Sequence, residues 1–367
     1  MKTTRLRVTL LGVEPAVMRV IDVPAVSTLP ELHELLQAAV GWTDSHLHQF
    51  VTGEARYGVL DLDAMEDERD EAGVLLSDLP ARFTYLYDFG DGWDHTIEVI
   101  GRGDDEPGCR YGEGMCPPED VGGVGGYAEL LAALADPAHE DHRHMREWAG
   151  ELFDFDLATT DLLVRQTVGV VPASVRLVLD MAKDGVKLTP GGRLPRAFVR
   201  GVQEHRQGWH HFGRPAATED DLLPLSALHD VLRRVGLLRL SKGVLRPTRA
   251  AADDLQVVRR LRSWFLPDDG FEAILAGVTV AVLATNGPLP STELALKVFP
   301  MLGHRWVTDG HPLTETDVRM SIARSTSVLT GLDLIETDWP HYRAGPSART
   351  LLPRATALAH LWSVSPK

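Results

Sequence analysis

Cysteine is nearly absent from this sequence. Cys109 and Cys116 are the only two in 367 residues. That is too few for a disulfide framework and points to a reducing, cytoplasmic setting. A membrane-spanning run is missing as well. The longest apolar stretch, Ile274–Ala284, contains Gly277 and Thr279 and has about half the length a span needs, so it reads as a buried helix. Lys2, Arg5 and Arg7 are not followed by the apolar core of a secretory signal. The stretch from Leu6 to Val23 is interrupted by Gly12, Glu14, Pro15, Arg19 and Asp22. No membrane association is expected.

What is present suits a globular chain: 44% of residues are apolar and 24% charged, so a packed core can form. The net charge of −15 is unevenly spread. Residues 1–160 hold 11 Lys and Arg against 32 Asp and Glu, a net −21, while residues 161–367 hold 26 against 20, a net +6. The front half should repel nucleic acid and the back half should not. The asymmetry argues for separate domains.

In the front half, Arg5–Gly12 and Val17–Val23 read as a β-hairpin. Ser27 or Thr28 can cap a helix whose apolar stripe is Leu32, Leu35, Leu36, Ala39 and Val40, ended by Gly41. Leu47–Thr52 and Arg56–Leu60 read as strands. Asp61, Asp63, Glu66, Asp67, Glu68, Asp70 and Glu71 crowd one stretch with only Arg69 opposing, which reads as a solvated loop. Next, Phe83, Tyr85, Tyr87 and Phe89 alternate along one strand face, Gly90-Asp-Gly92 turns, and Thr96–Ile100 returns. Asp88, Asp91, Asp94 and His95 therefore crowd one hairpin end, with Trp93 among them. They suit either a metal or acid–base site, or a turn capped by aspartates beside a packed tryptophan.

The loop that follows carries Cys109, Cys116, Glu119, Asp120 and the glycine-rich run 122–126, before a helix with Leu130, Leu131 and Leu134 as its stripe. Cys109, Cys116, His139 and His142 could supply zinc ligands. Six residues lie between the cysteines, against roughly two to four in common structural sites. The glycine run precedes a helix N-terminus, where an anion can bind, but lacks the dinucleotide spacing.

The ordered motifs Tyr87-Asp-Phe-Gly-Asp-Gly-Trp-Asp-His95, Cys109, Cys116-Pro-Pro-Glu-Asp-Val-Gly-Gly, Gly126-Tyr127, Asp136-Pro137 and Phe153-Asp-Phe-Asp156 resemble the plasmid pRiA4b ORF-3-like family over roughly residues 3–165. The resemblance implies an α+β domain without an established activity. It also implies an association with insertion-element passenger or resolvase-labelled proteins. Val121 stands where the family often has a third cysteine.

The back half reads as mainly α. Helices are expected over Val175–Ala182, Arg196–Glu204 and Asp220–Val235, the last with Leu225, Leu228, Val231, Leu232 and Val235 on one face. A partial internal repeat is visible. Residues 235–248 read as helix end, strand, turn and strand, then a helix from Arg249 to about Phe265. Near the C-terminus a helix over Val318–Thr330 precedes a strand over Gly331–Glu336, a loop with Pro340 and Gly345, a return over Arg349–Pro353 and a helix over Ala355–Trp362. The pattern is similar to winged-helix modules.

The expected fold is thus an α+β N-terminal domain, an antiparallel sheet with helices, followed by a mainly α half. The expected domains are residues 1–165, 166–265 and 266–367, the last two winged-helix-like. Arg233, Arg234, Arg239, Lys242, Arg246 and Arg249 offer phosphate contacts. The leading expectation is a non-catalytic protein that binds a protein partner or DNA through its C-terminal half. No cofactor is expected beyond the zinc candidates. The alternative is a metal-dependent enzyme built on the Asp88–His95 hairpin and the Pro117–Gly126 loop.

Overall fold

Alternating apolar residues build the opening hairpin. β1 (Thr3–Leu10) and β2 (Val17–Pro24) pair antiparallel, and Leu6, Val8, Leu10, Ile21 and Val23 are buried. In this computed structural model, residues 1–53, 55–60, 68–150, 154–209, 214–265, 270–302, 306–308 and 311–352 are described. The chain divides into two units, Met1–Val168 and Gly169–Lys367.

In the first unit, α1 (Leu29–Val40) begins where the Thr28 amide donates to the Glu31 carboxylate at 3.0 Å, and ends at Gly41 with φ +91°. Both ends follow from side-chain capping and glycine's access to the left-handed region. Strands β3 (His48–Val51), β4 (Arg56–Gly58), β5 (Glu68–Asp70), β6 (Arg82–Tyr87), β7 (Trp93–Arg102) and β8 (Gly108–Glu113) complete an eight-stranded sheet. Its order is β5-β4-β3-β6-β7-β1-β2-β8. The β4–β5 pair is parallel, so the sheet is mixed rather than wholly antiparallel. Helices α2 (Gly123–Ala135), α3 (His142–Ala149) and α4 (Leu157–Val168) follow.

Two expectations fail here for local reasons. Phe83, Tyr85 and Tyr87 are buried, but Phe89 is 57% exposed. The strand stops at Tyr87, and Asp88 takes φ +55°, which breaks the alternation before Phe89. The acidic stretch is not wholly a solvated loop. Glu71 is buried against His48, 3.0 Å away, and Glu68 accepts from Gln49 at 2.9 Å. Asp61 to Asp67 and Phe153 lie outside the described residues.

A buried ionic knot ties the sheet's far side. Asp22 is fully buried and receives Arg5 through Nε at 2.7 Å and Nη2 at 2.8 Å, Arg110 Nε at 2.7 Å and the Asp104 amide at 3.0 Å. Burial alone would raise this carboxyl's pKa, but those donors outweigh it and hold it below its ordinary range.

The second unit is helix-rich with small sheets. It runs α5 (Ala173–Met181), β9 (Val186–Lys187), α6 (Arg196–His205), α7 (Leu223–Arg234), β10 (Leu238–Ser241), β11 (Val244–Pro247) and α8 (Asp254–Ser263). Then come α9 (Phe271–Asn286), β12 (Leu289–Pro290), α10 (Ser291–Val298), β13 (Val307–Thr308), β14 (His311–Pro312), α11 (Glu315–Gly331), β15 (Ile335–Asp338), β16 (His341–Ala344) and α12 (Ala348–Leu351). One order of elements occurs twice, helix, short strand, two helices and hairpin, with the β13–β14 pair inserted between the two helices of the second copy. The first sheet is β10-β11-β9 and the second β15-β16-β12, so in each copy the short strand pairs with the hairpin's second strand. The repeat is longer than the sequence pattern revealed. The expected return strand over Arg349–Pro353 is corrected: β16 returns directly after Pro340, and Ala348–Leu351 is helical. The residues 355–362 expected to form a helix lie outside the described residues.

Val175 to Leu351 contribute to one continuous apolar cluster. The corresponding helices of the two copies, α7 and α11, touch closely. A Cβ on Gly331 would stand 2.6 Å from the Pro224 carbonyl oxygen. Among the described residues no single helix is long and apolar enough to cross a membrane.

Candidate functional site

The first unit's polar residues converge at one end of the sheet, where three connections meet: 42–47 between α1 and β3, 88–92 between β6 and β7, and 114–122 between β8 and α2. The glycine-rich loop is fastened at several points. Trp42 Nε1 donates to the Pro117 carbonyl at 2.8 Å, the Thr43 amide to Glu119 at 3.1 Å, and Tyr127 to the Met115 carbonyl at 2.8 Å. The Gly122 amide donates to Asp91 Oδ2 at 3.0 Å. The Tyr87 hydroxyl donates to Glu119 and accepts from the Ser45 amide. Burial, then the Glu119 carboxylate, pushes the Tyr87 pKa up, so this phenol stays protonated.

The glycines in this loop serve close packing. A Cβ on Gly123, at φ +68°, would lie 2.5 Å from the Asp91 carbonyl oxygen, and one on Gly126 would lie 1.9 Å from that of Val121. Close backbone approach thus accounts for Gly123, against the hairpin, and for Gly126, within the loop.

Two side-chain groups have ligand-like chemistry. In the first, His33 Nδ1 meets the Tyr85 hydroxyl and Nε2 meets Asp44 Oδ1, both at 2.7 Å. Gln37 donates to Tyr85 at 3.0 Å, so the Tyr85 proton points at His33 Nδ1 and the imidazole proton sits on Nε2 toward Asp44. His48 stacks on His33 at 3.5 Å and is held by Glu71. Both ring nitrogens of His33 and Nε2 of His48 have hydrogen-bond partners, and the group reads as a buried polar network.

The second group is different. His46 Nε2 stands 3.3 Å from Asp120 Oδ1 and 3.5 Å from Asp88 Oδ2, yet it is buried and hydrogen-bonds neither. Asp88 Oδ1 is occupied by the Gly90 amide at 3.0 Å and the Asp91 amide at 3.3 Å, which leaves Oδ2 facing the histidine. A nitrogen removed from water without a partner costs about 1–3 kcal/mol.

Of the residues singled out from sequence, Asp88, Asp91, Glu119 and Asp120 come together, because the hairpin end and the 114–122 loop do meet. Trp93 and His95 lie beneath them in the core. His95 is 1% exposed, donates from Nδ1 to the Tyr85 carbonyl at 3.2 Å and sets its ring edge-on to Trp42. Burial lowers its pKa from 6.5 to about 4. The cysteine–histidine set does not assemble. Among the described residues, neither group with ligand-like geometry contains a cysteine. His142 Nδ1 pairs with the Ala133 carbonyl at 2.7 Å. Burial raises the Cys109 thiol and pushes Cys116 up to about 12, which makes both poor thiolates. His46, the centre of the second group, was missed. Its signal was the alternation Asp44-Ser-His46-Leu-His48 ahead of a strand.

His95 carries a pH prediction. Between about pH 6.5 and 4 the unfolded chain takes up a proton that the folded unit refuses, so stability falls as pH falls. From about pH 7.5 to about pH 5 the expected loss through this residue is about 2 kcal/mol. Urea midpoints at both pH values should separate less in His95→Phe than in the parent. Equal separations would remove His95 as the cause.

The family model described as plasmid pRiA4b ORF-3-like protein matches residues 2–162. An uncharacterized protein, y4hQ of Sinorhizobium fredii (strain NBRC 101917 / NGR234), is 46% identical over 166 residues, covering 43% of this chain and 85% of that protein. The chain belongs to the plasmid pRiA4b ORF-3-like family. The pRiA4b ORF-3-like region thus spans the eight-stranded sheet and the hairpin–loop junction at His46. A crystal structure of MM3350, a protein of unknown function from Methanosarcina mazei Go1, is 31% identical, covering 43% of this chain and 96% of that one, with a TM-score of 0.39. Beyond the pRiA4b ORF-3-like region, the Y4jL N-terminal domain model matches residues 168–259.

In the second unit, Arg233, Arg234, Arg239, Lys242, Arg246 and Arg249 are all exposed. They stand on the end of α7, on the β10–β11 hairpin and just beyond it. None forms an ion pair with a described residue, although Arg234 lies over the Trp264 ring at 5.4 Å. In the second copy the basic residues are Arg319, Arg324, Arg343, Arg349 and Arg354; Arg343 pairs with Glu336 and Arg324 donates to Ser321. Arg354 lies outside the described residues.

Proposed function

We propose that this protein is a non-catalytic binding protein whose second unit holds DNA by its phosphate backbone, through two winged-helix-like modules divided near residue 265. The observation that carries the reading is the set of six exposed cations without carboxylate partners among the described residues, on one helix end, its hairpin and just beyond it. The doubled order of helix, strand, two helices and hairpin supports the winged-helix-like reading. The exposed residues of α7 include Leu223 and Asp230 before Arg233 and Arg234. The exposed face of that helix opens on Leu223 and carries Asp230 in its later half, which does not suit base reading, so binding should be indifferent to sequence.

The full chain should shift an arbitrary duplex at low salt and release it as salt rises. Replacing Arg239, Lys242 and Arg246 together by alanine should reduce the slope of log affinity against log salt by about 3. Absence of binding at about 50 mM salt, or a slope unchanged in the triple variant, would reject DNA and leave a protein as the partner. A metal-dependent enzyme at the Asp88–His95 hairpin and the Pro117–Gly126 loop is the second reading, favoured by the meeting of those two segments at His46.

A further inference from the structure

We infer that His46, Asp88 and Asp120 form a binding site for a borderline divalent transition-metal ion, with zinc as its probe. The three donors come from three separate connections of the first unit, and their ligand atoms all lie within 4.8 Å of one another. The unsatisfied His46 Nε2 between two carboxylates supports a metal. A histidine held by carboxylates aims its N–H at one of them, whereas His46 Nε2 is buried, has both oxygens at 3.3 and 3.5 Å and bonds neither. Two ligands on a tetrahedral ion, each at about 2.0–2.1 Å, stand about 3.3–3.4 Å apart. The observed separations of 3.3 and 3.5 Å match that spacing.

The support around the donors fits the same assignment. Asp88 is held by two turn amides on its other oxygen, which orients Oδ2, as outer-shell bonds commonly orient metal ligands. The ring of Tyr87 meets the His46 ring edge-on at 5.9 Å. Asp91 and Glu119 fasten the loop that delivers Asp120. Asp120 is 74% exposed on its side chain, so one side of the site faces water. Three protein ligands with an open position is the arrangement of an exchangeable ion. One imidazole with two carboxylates favours zinc and its borderline neighbours over magnesium or calcium. The neighbouring His33–Asp44–His48 group is the internal comparison: its nitrogens face a hydroxyl and carboxylates at hydrogen-bond distance, so it needs no ion. The inference requires no catalysis and does not depend on DNA binding.

The test uses tag-free full-length chain, stripped with a chelator and titrated with Zn²⁺, Mn²⁺ and Mg²⁺ by calorimetry. The expected result is about one Zn²⁺ per chain, bound at least about tenfold more weakly by Asp120→Asn and about a hundredfold more weakly by His46→Gln. Cys116→Ser should bind as the parent does. Asp120 is exposed, so its variant keeps the fold, and circular dichroism without metal checks both. Co²⁺ in place of Zn²⁺ should give visible absorption that is lost in His46→Gln. The inference is overturned by no Zn²⁺ uptake, by uptake indifferent to His46→Gln and Asp120→Asn, or by a preference for Mg²⁺.

Discussion

Trp93→Ala should cost the first unit about 3–5 kcal/mol. Trp93 is 1% exposed and opens β7 directly across from Tyr87. Trp42 lies 6.0 Å from it, ring to ring, and stacks on Tyr87 at 4.8 Å. Its indole N–H has no hydrogen-bond partner among the described residues. The ring therefore contributes through packing, and its removal leaves a cavity bounded by stiff aromatic walls that cannot collapse into it. Denaturant unfolding followed by circular dichroism should show a lower midpoint with an unchanged slope. A loss below about 1 kcal/mol would mean that the ring is not part of the core.

Asp22→Ala is expected to cost a similar amount, about 3–5 kcal/mol, by a different route. The alanine removes the acceptor shared by Arg5, Arg110 and the Asp104 amide and leaves their donors without it. Asp22→Asn, which keeps an acceptor but not the charge, should fall between parent and alanine. The pH dependence has a definite sign. The folded-state pKa lies below the ordinary carboxyl value of 3.8, so the stabilisation is present above that pH and drains away as pH falls below it. The parent should therefore lose stability in acid more steeply than Asp22→Ala. Parallel acid profiles would contradict the assignment.

Much of the fold could be read before any coordinates. The opening hairpin, α1 with its Thr28 start and Gly41 stop, and α7 with its leucine stripe all rest on local periodicity and capping, and all occur near the expected bounds. What escaped was non-local. Alternation suggested Phe89 as a fourth core aromatic, but a left-handed Asp88 turned it outward. The pattern of β15 was found and its partner misplaced, because a Pro-containing tight turn after Trp339 was read as a longer loop. The candidate site was half legible. Asp88, Asp91, Glu119 and Asp120 drew attention as polar residues around glycine turns. His46 did not, because only tertiary folding brings residue 46 beside residues 88 and 120. The duplication in the second unit was seen only in its later half, since β9 and β12 are two residues each and leave almost no periodic trace.

The position of β1 and β2 in the sheet bears on how the protein is made. They are neighbours in sequence and emerge before β7 and β8, which flank them in the sheet. During synthesis both rims of this hairpin stay open until residues 93–113 have left the ribosome. A nascent chain stalled before that point would present two unprotected strand rims to other chains, so the interval before β7 and β8 emerge is when this protein most needs a chaperone.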